Sequence, residues 1–261
     1  MTATVELNGT SAIVTGGAGG LGGATVRHLV GLGVGVAVFD RDGERAEALV
    51  AALGDGAVAV RGDVNVDEDV AAAVGAAQSL GTLSIVVNVA GGGVGRPART
   101  VGRDGSPHDM PAFVETMAKN TFGTFNVTRL AAAAMALNQP DRDGQRGVIV
   151  NTGSIAAYDG QVGQVPYAAA KAAILGMTLP LARDLAAVGI RVCGIAPGTM
   201  GTDIMLHASP AILDPLLATI VFPKRPGHPA EFALLVESII RNPYLNGENI
   251  RLDAAQRFPP K

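Results

Sequence analysis

The chain has 261 residues, of which 48% are hydrophobic and 16% charged, and its formal net charge is −3. That composition is too apolar for disorder, and the length suits one α/β domain with a large core. The slightly acidic balance excludes bulk attraction to nucleic acid or an anionic membrane, and no apolar run approaches the ~20 residues of a spanning helix.

The opening segment MTATVELNGT has neither the basic nor the apolar region of a signal peptide and is too acidic for a transit peptide. The single cysteine, Cys193, cannot form an internal disulfide, so the expected compartment is reducing and cytoplasmic. Cys193 sits in an apolar run and reads as a buried, inert thiol.

The first strand is expected at 11–15. It runs into the turn Thr15-Gly16-Gly17-Ala18-Gly19-Gly20-Leu21-Gly22, and a helix follows over 20–32. Glycines at a strand-to-helix turn permit a tight bend, close approach of a pyrophosphate and close helix packing. The free N–H groups at the helix start then attract phosphate. Glycine turns serve many loops, so the flanking strand and helix give this one its weight. The second strand, 34–39, leads into Asp40. A carboxylate there accepts hydrogen bonds from adenosine ribose hydroxyls and repels a 2′-phosphate, favouring NAD over NADP. Arg41, next in the chain, is the residue that would welcome that phosphate.

A helix over 42–53 and a strand over 57–60 follow. Asp63-Val64, just beyond, is placed to cap an adenine ring. After a helix at 67–80, the fourth strand, 84–88, ends in Asn88-Val89-Ala90-Gly91, small enough for a cofactor to lie against the backbone. Residues 91–111 then interrupt the rhythm with six glycines, three prolines and three arginines. Arg96, Arg99 and Arg103 there read either as a solvated loop or as contacts for coenzyme A phosphates. The remaining elements are a helix over 112–137, strands at 147–152, 190–196 and 249–252, and helices at 166–188 and 229–241. An apolar stretch, 198–226, lies between the sixth strand and the last helix; within it 200–221 reads either as ordinary amphipathic packing over the sheet or as a surface for an acyl chain or a steroid body. Near-continuous Val/Ile strands alternating with helices predict a single Rossmann-type, doubly wound α/β domain over 1–261 with right-handed crossovers. Both irregular stretches follow strands at their carboxyl ends, where such sheets bind ligands.

Tyr167 and Lys171 are four apart in a helical stretch and share a face. A tyrosine with a pKa near ~10 is a poor base at neutral pH; a neighbouring ammonium is expected to lower it. Ser154, after the fifth strand, can hold a substrate oxygen, and Gln161 beside it is a candidate pocket wall. Asn120 is expected to anchor a water leading from Lys171 to solvent. A lone Tyr-x-x-x-Lys would be an ordinary surface pair; the glycine turn, Asp40 and Ser154 make it a site. Four scattered histidines give no metal-ligand cluster.

Together, Thr-Gly-x-x-x-Gly-x-Gly at 15–22, Asn-Val-Ala-Gly at 88–91, Asn120, Ser154, Tyr167-x-x-x-Lys171 and Pro197-Gly198 resemble the short-chain dehydrogenase/reductase family over nearly the whole chain. The segments 144–152, 160–164, 176–185 and 242–248, with the insertion, resemble its short-chain 3-hydroxyacyl-CoA dehydrogenase subgroup. The resemblance implies a seven-stranded parallel sheet, a homotetramer, and NAD as cofactor. It implies Tyr167 as proton acceptor, Ser154 on the substrate oxygen, Lys171 on the nicotinamide ribose and Asn120 completing the relay. It also implies cofactor contacts from Gly16, Gly19, Leu21, Asp40, Asp63, Val64, Ala90, Met200 and Thr202. Departures are Val89 in Asn-Val-Ala-Gly, Ala254-Ala255 where a glycine pair is usual, and the insertion's own sequence. The expected activity interconverts a secondary alcohol and a ketone, with a 3-hydroxyacyl-CoA as substrate. A steroid dehydrogenase, a 3-oxoacyl carrier-protein reductase and a non-catalytic scaffold are the rival readings.

Overall fold

The computed structural model describes residues 7–92 and 97–260. Its frame is one seven-stranded parallel sheet: β1 (Thr10–Thr15), β2 (Gly35–Asp40), β3 (Ala57–Arg61), β4 (Thr82–Asn88), β5 (Gly147–Thr152), β6 (Ile190–Pro197) and β7 (Asn249–Leu252). Their order is β3-β2-β1-β4-β5-β6-β7. The chain reverses its direction of travel across the sheet between β1 and β4, which opens a crevice at the carboxyl ends.

Side-chain alternation explains why both faces are covered. Ala12, Val14, Val36, Val38, Val87, Val150 and Ile195 join one apolar cluster with Val26, Leu29 and Phe232. Ile13, Ala37, Phe39, Val86, Ile149 and Val192 join the opposite cluster with Val70, Val127 and Met135. The helices supplying these side chains are α1 (Gly20–Gly31) and α9 (Pro229–Arg241) on the first face, and α3 (Asp67–Leu80) and α5 (Gly123–Met135) on the second. Register lines up the carboxyl ends: Thr15 pairs with Phe39 and Asn88, Asn88 with Asn151, and Thr152 with Ile195. Gly16, Asp40, Val89 and Gly153 therefore emerge along one edge.

The stretch expected as one helix over 112–137 is two. Asp109 accepts a hydrogen bond from the Ala112 N–H at 3.1 Å and starts α4 (Met110–Met117) before the predicted boundary. A π turn, Ala118–Phe122, then separates α4 from α5. Such widened turns recur at functional sites, and this one carries Asn120. The remaining helices are α2 (Gly43–Ala51), α6 (Val165–Ala186), α7 (Asp203–Leu206) and α8 (Pro210–Ala218). The last two lie within the stretch 198–226.

One composition-based expectation is corrected. Helix α6 is 22 residues long, and an 18-residue window in it has a mean hydropathy of 1.3, so it is long and apolar enough to cross a membrane. Lys171 interrupts the apolar run, so a search for uninterrupted apolar residues passes over this helix. Here α6 packs against β5 and β6, with Lys171, Ile174 and Thr178 buried.

Candidate active site

A cleft of about 770 Å³ runs along the carboxyl edge. At one end the glycine turn forms a cradle. Gly16 has φ +62°, and a Cβ there would lie 2.9 Å from the Ala90 backbone; a Cβ on Gly22 would lie 2.0 Å from the Gly16 carbonyl oxygen. Thr15 Oγ1 accepts from the N–H groups of Val89 and Ala90, each at 3.0 Å, and so fixes the β4 loop beside the turn. Val89 packs against the first apolar cluster, which accounts for its place in that motif. Gly19, Leu21, Asp63, Val64, Met200 and Thr202 all line the cleft.

Asp40 closes this end. Its Oδ2 accepts from Ala18 N and its Oδ1 from Asp42 N, both at 3.0 Å, which aims the carboxylate at the turn. Arg41 leans toward Asp63, with Nε 3.7 Å from Oδ2, and Arg45 toward Asp203 at 3.9 Å. Both rim arginines thus face carboxylates. Asp63 accepts from Asn65 N and Nδ2 at 2.9 Å; those bonds, the backbone one first, hold its carboxyl below the usual range.

At the other end Ser154, Tyr167 and Lys171 line the same cleft. Ser154 leaves β5 in extended conformation and caps the short turn Ile155–Ala157, its Oγ accepting from Ala156 N at 3.1 Å. Lys171 is 3% exposed. Its Nζ donates to the Thr152 carbonyl at 3.0 Å and lies 5.8 Å from the Tyr167 ring centroid. Burial pushes the Lys171 amine down to about 8. The expectation that the ammonium lowers the Tyr167 pKa is corrected for the chain alone. Burial pushes the Tyr167 phenol up, and only a hydrogen bond from Ser154 pulls it back.

Asn120 is fully buried. Its Nδ2 donates to the carbonyls of Gly92 at 3.0 Å and Thr116 at 2.9 Å, and its Oδ1 accepts from Gly92 N at 2.9 Å. Both amide protons are committed to backbone, leaving one Oδ1 lone pair for a relay. Gly91 is the joint between these groups: at φ +149°, a Cβ would lie 2.5 Å from Asn120 Oδ1 and 3.3 Å from Lys171 Nζ. Thr121 Oγ1 donates to the Ala170 carbonyl at 3.0 Å and locks the π turn to α6.

Gln161 also lines the cleft; its Nε2 donates to the Pro259 carbonyl at 3.4 Å and its Oε1 accepts from Gln164 Nε2 at 3.3 Å. Gln164, part of the segment 160–164 but given no role there, lines the cleft, and its Oε1 is buried with no partner among the described residues. Phe258 also lines the cleft and carried no signal. Of the large apolar side chains in 198–226, Met200, Met205 and Leu216 line the cleft, while much of α7 and α8 is exposed. Within the insertion, the described residues from 97 onward turn back on themselves at a Val101–Pro107 bridge, and Ala98 N donates to the Gly163 carbonyl at 3.1 Å. Arg99 and Arg103 are exposed there and outside the cleft lining. Arg96 lies outside the described residues. Cys193 is buried, and burial pushes its thiol up. Among the described residues no group of three or more His, Cys, Asp or Glu side chains could hold a metal ion.

The family model described as short chain dehydrogenase matches residues 10–211. The chain is 45% identical over 256 residues to the human protein named 3-hydroxyacyl-CoA dehydrogenase type-2, covering 98% of each. A crystal structure of 3-hydroxyacyl-CoA dehydrogenase type-2 from Mycobacterium avium superimposes with a TM-score of 0.94 at 50% identity, covering 97% of this chain and 98% of that one. A 7α-hydroxysteroid dehydrogenase, solved with NADH and 7-oxo glycochenodeoxycholic acid, gives a TM-score of 0.84 at 28% identity and 98% coverage of both chains.

Proposed function

The chain belongs to the short-chain dehydrogenase family, and we propose that it oxidises 3-hydroxyacyl-CoA thioesters reversibly to their 3-oxo forms with NAD. The observation that carries this reading is one continuous cleft with the glycine cradle and Asp40 at one end and Ser154, Tyr167 and Lys171 at the other. The donor set fits NAD: glycines where a Cβ would collide with backbone, and a carboxylate already oriented by two N–H groups. Bound NAD supplies the hydride acceptor. Gly16, Gly19, Leu21, Asp40, Asp63, Val64, Ala90, Met200 and Thr202 would hold it, with Lys171 and Tyr167 toward the nicotinamide ribose.

Ser154 holds the substrate oxygen, and Tyr167 takes the hydroxyl proton as the carbinol hydrogen leaves with its electron pair. Donors preplaced on a developing oxyanion contribute about 3–4 kcal/mol in such sites. Lys171, anchored on Thr152, favours the phenolate when protonated, and Asn120 fixes the Gly92 backbone beside it. Gln161 forms the substrate wall. The thioester is favoured over a steroid by the full-length likeness to proteins named for acyl-CoA chemistry. A cytoplasmic homotetramer is part of the same proposal. The deciding experiment is turnover by the purified protein of NAD and NADP against 3-hydroxyacyl-CoA, acetoacetyl thioesters and steroid alcohols. NAD with 3-hydroxyacyl-CoA should dominate; faster reduction with NADPH, or steroid turnover alone, would replace the reading.

A further inference from the structure

The residues after β7 contact three parts of the substrate end. Gln256 is fully buried. Its Oε1 accepts from Thr199 N at 2.9 Å, in the turn after β6. Its Nε2 faces Thr199 Oγ1 at 3.0 Å, the Leu216 carbonyl at 3.0 Å and Thr219 Oγ1 at 2.8 Å, the last two at the end of α8. Two residues earlier, the Ala254 carbonyl accepts from Val221 N at 3.2 Å. Farther along, the Pro259 carbonyl accepts from Gln161 Nε2 and the Pro260 carbonyl from Val162 N at 3.0 Å. Between these anchors Phe258 faces the cleft together with Leu216 and Gln161. Arg251 adds a second tie: it donates to Asp159 Oδ2 at 2.7 Å and to the Gln256 carbonyl at 3.0 Å, joining the loop before Gln161 to the same segment.

We propose that residues 253–260 form a strap across the acyl end of the cleft, with Phe258 as the wall that sets acyl length and Gln256 as the positioning residue that holds α8 and the strap in register. This deepens the thioester reading above and rests on it. The amide of Gln256 suits the task because it supplies donor and acceptor together to backbone groups that burial would otherwise leave unpaired. Phe258 is half-buried, so its ring is supported by the strap while one side faces the substrate space.

The test compares Phe258→Ala and Gln256→Ala with the wild type, using 3-hydroxybutyryl-CoA and 3-hydroxydecanoyl-CoA, the KM for NAD, the melting temperature and amide hydrogen exchange over 216–222. Phe258→Ala should raise the long-to-short ratio of kcat/KM by about tenfold or more, the scale at which apolar pockets discriminate methylenes, with the KM for NAD unchanged. Gln256→Ala should raise the acyl KM by about tenfold, the size of one lost buried hydrogen bond, with kcat within about threefold, and should speed exchange over 216–222. An unchanged chain-length ratio in Phe258→Ala overturns the wall. Unchanged exchange in a folded Gln256→Ala overturns the coupling. If the wild type turns over neither thioester, the functional reading is wrong, and exchange in Gln256→Ala alone decides whether the strap holds α8.

Discussion

Lys171 directs its ammonium at the main-chain carbonyl of Thr152, 3.0 Å away, while standing 5.8 Å from the ring centre of Tyr167. The lysine is thus held by the strand that delivers Ser154, two residues on. One carbonyl fixes the distance between the serine side of the site and the helix carrying the tyrosine.

Tyr167→Phe removes the proposed proton acceptor and leaves the packing. Turnover should fall by about 10²–10⁴-fold, the usual worth of a positioned acid–base group, while the affinity for NAD stays near that of the wild type. Steady-state kinetics with a binding titration checks both, and substantial activity in the variant would remove Tyr167 from its role.

Lys171 also gives a stability prediction. Its amine is held down to about 8 in the fold against an ordinary lysine value of 10.5. Between those values the unfolded chain binds the extra proton, so the contribution to stability rises with pH through that window and is flat below it. Lys171→Met removes the burial penalty and should be more stable at pH 7 by about 1–3 kcal/mol, with the gain shrinking by pH 10. Urea unfolding at the two pH values measures it; an equal gain at both would assign the effect elsewhere.

Asp40→Ala leaves the N–H groups of Ala18 and Asp42 without their acceptor and removes the charge proposed to meet the adenosine ribose. The kcat/KM for NAD should drop by about 10–100-fold, as for a lost charge-assisted hydrogen bond, and NADP should gain relative to it. A variant that keeps the wild-type NAD-to-NADP ratio would count against Asp40 as selector.

Ala254 and Ala255 have φ of +49° and +60°, in the left-handed region. Each costs an L-residue there, and glycine recovers part of the cost after its own entropy loss. Ala254→Gly and Ala255→Gly should each stabilise by about 0.5–1 kcal/mol in thermal or urea unfolding. Destabilisation would mean that the methyl groups pack more favourably than the backbone strain costs.

Much of this protein is written locally in its sequence. Val/Ile strands and their spacing set the alternating elements, and the glycine turn, Asp40, Ser154 and Tyr167-x-x-x-Lys171 point to their chemistry, because short-range spacing on a strand or helix decides which face a side chain takes. Tertiary structure decided what depends on contacts far apart in the chain. Burial outweighs the Ser154 hydrogen bond at Tyr167 and raises its phenol. Asn120 clamps the Gly92 backbone from a π turn that periodicity read as plain helix. Gln161 meets Pro259 across 98 positions and Gln256 meets Leu216 across 40. No local pattern encodes such pairs; the parallel sheet creates them by bringing its carboxyl ends, and the segments that leave them, to one edge.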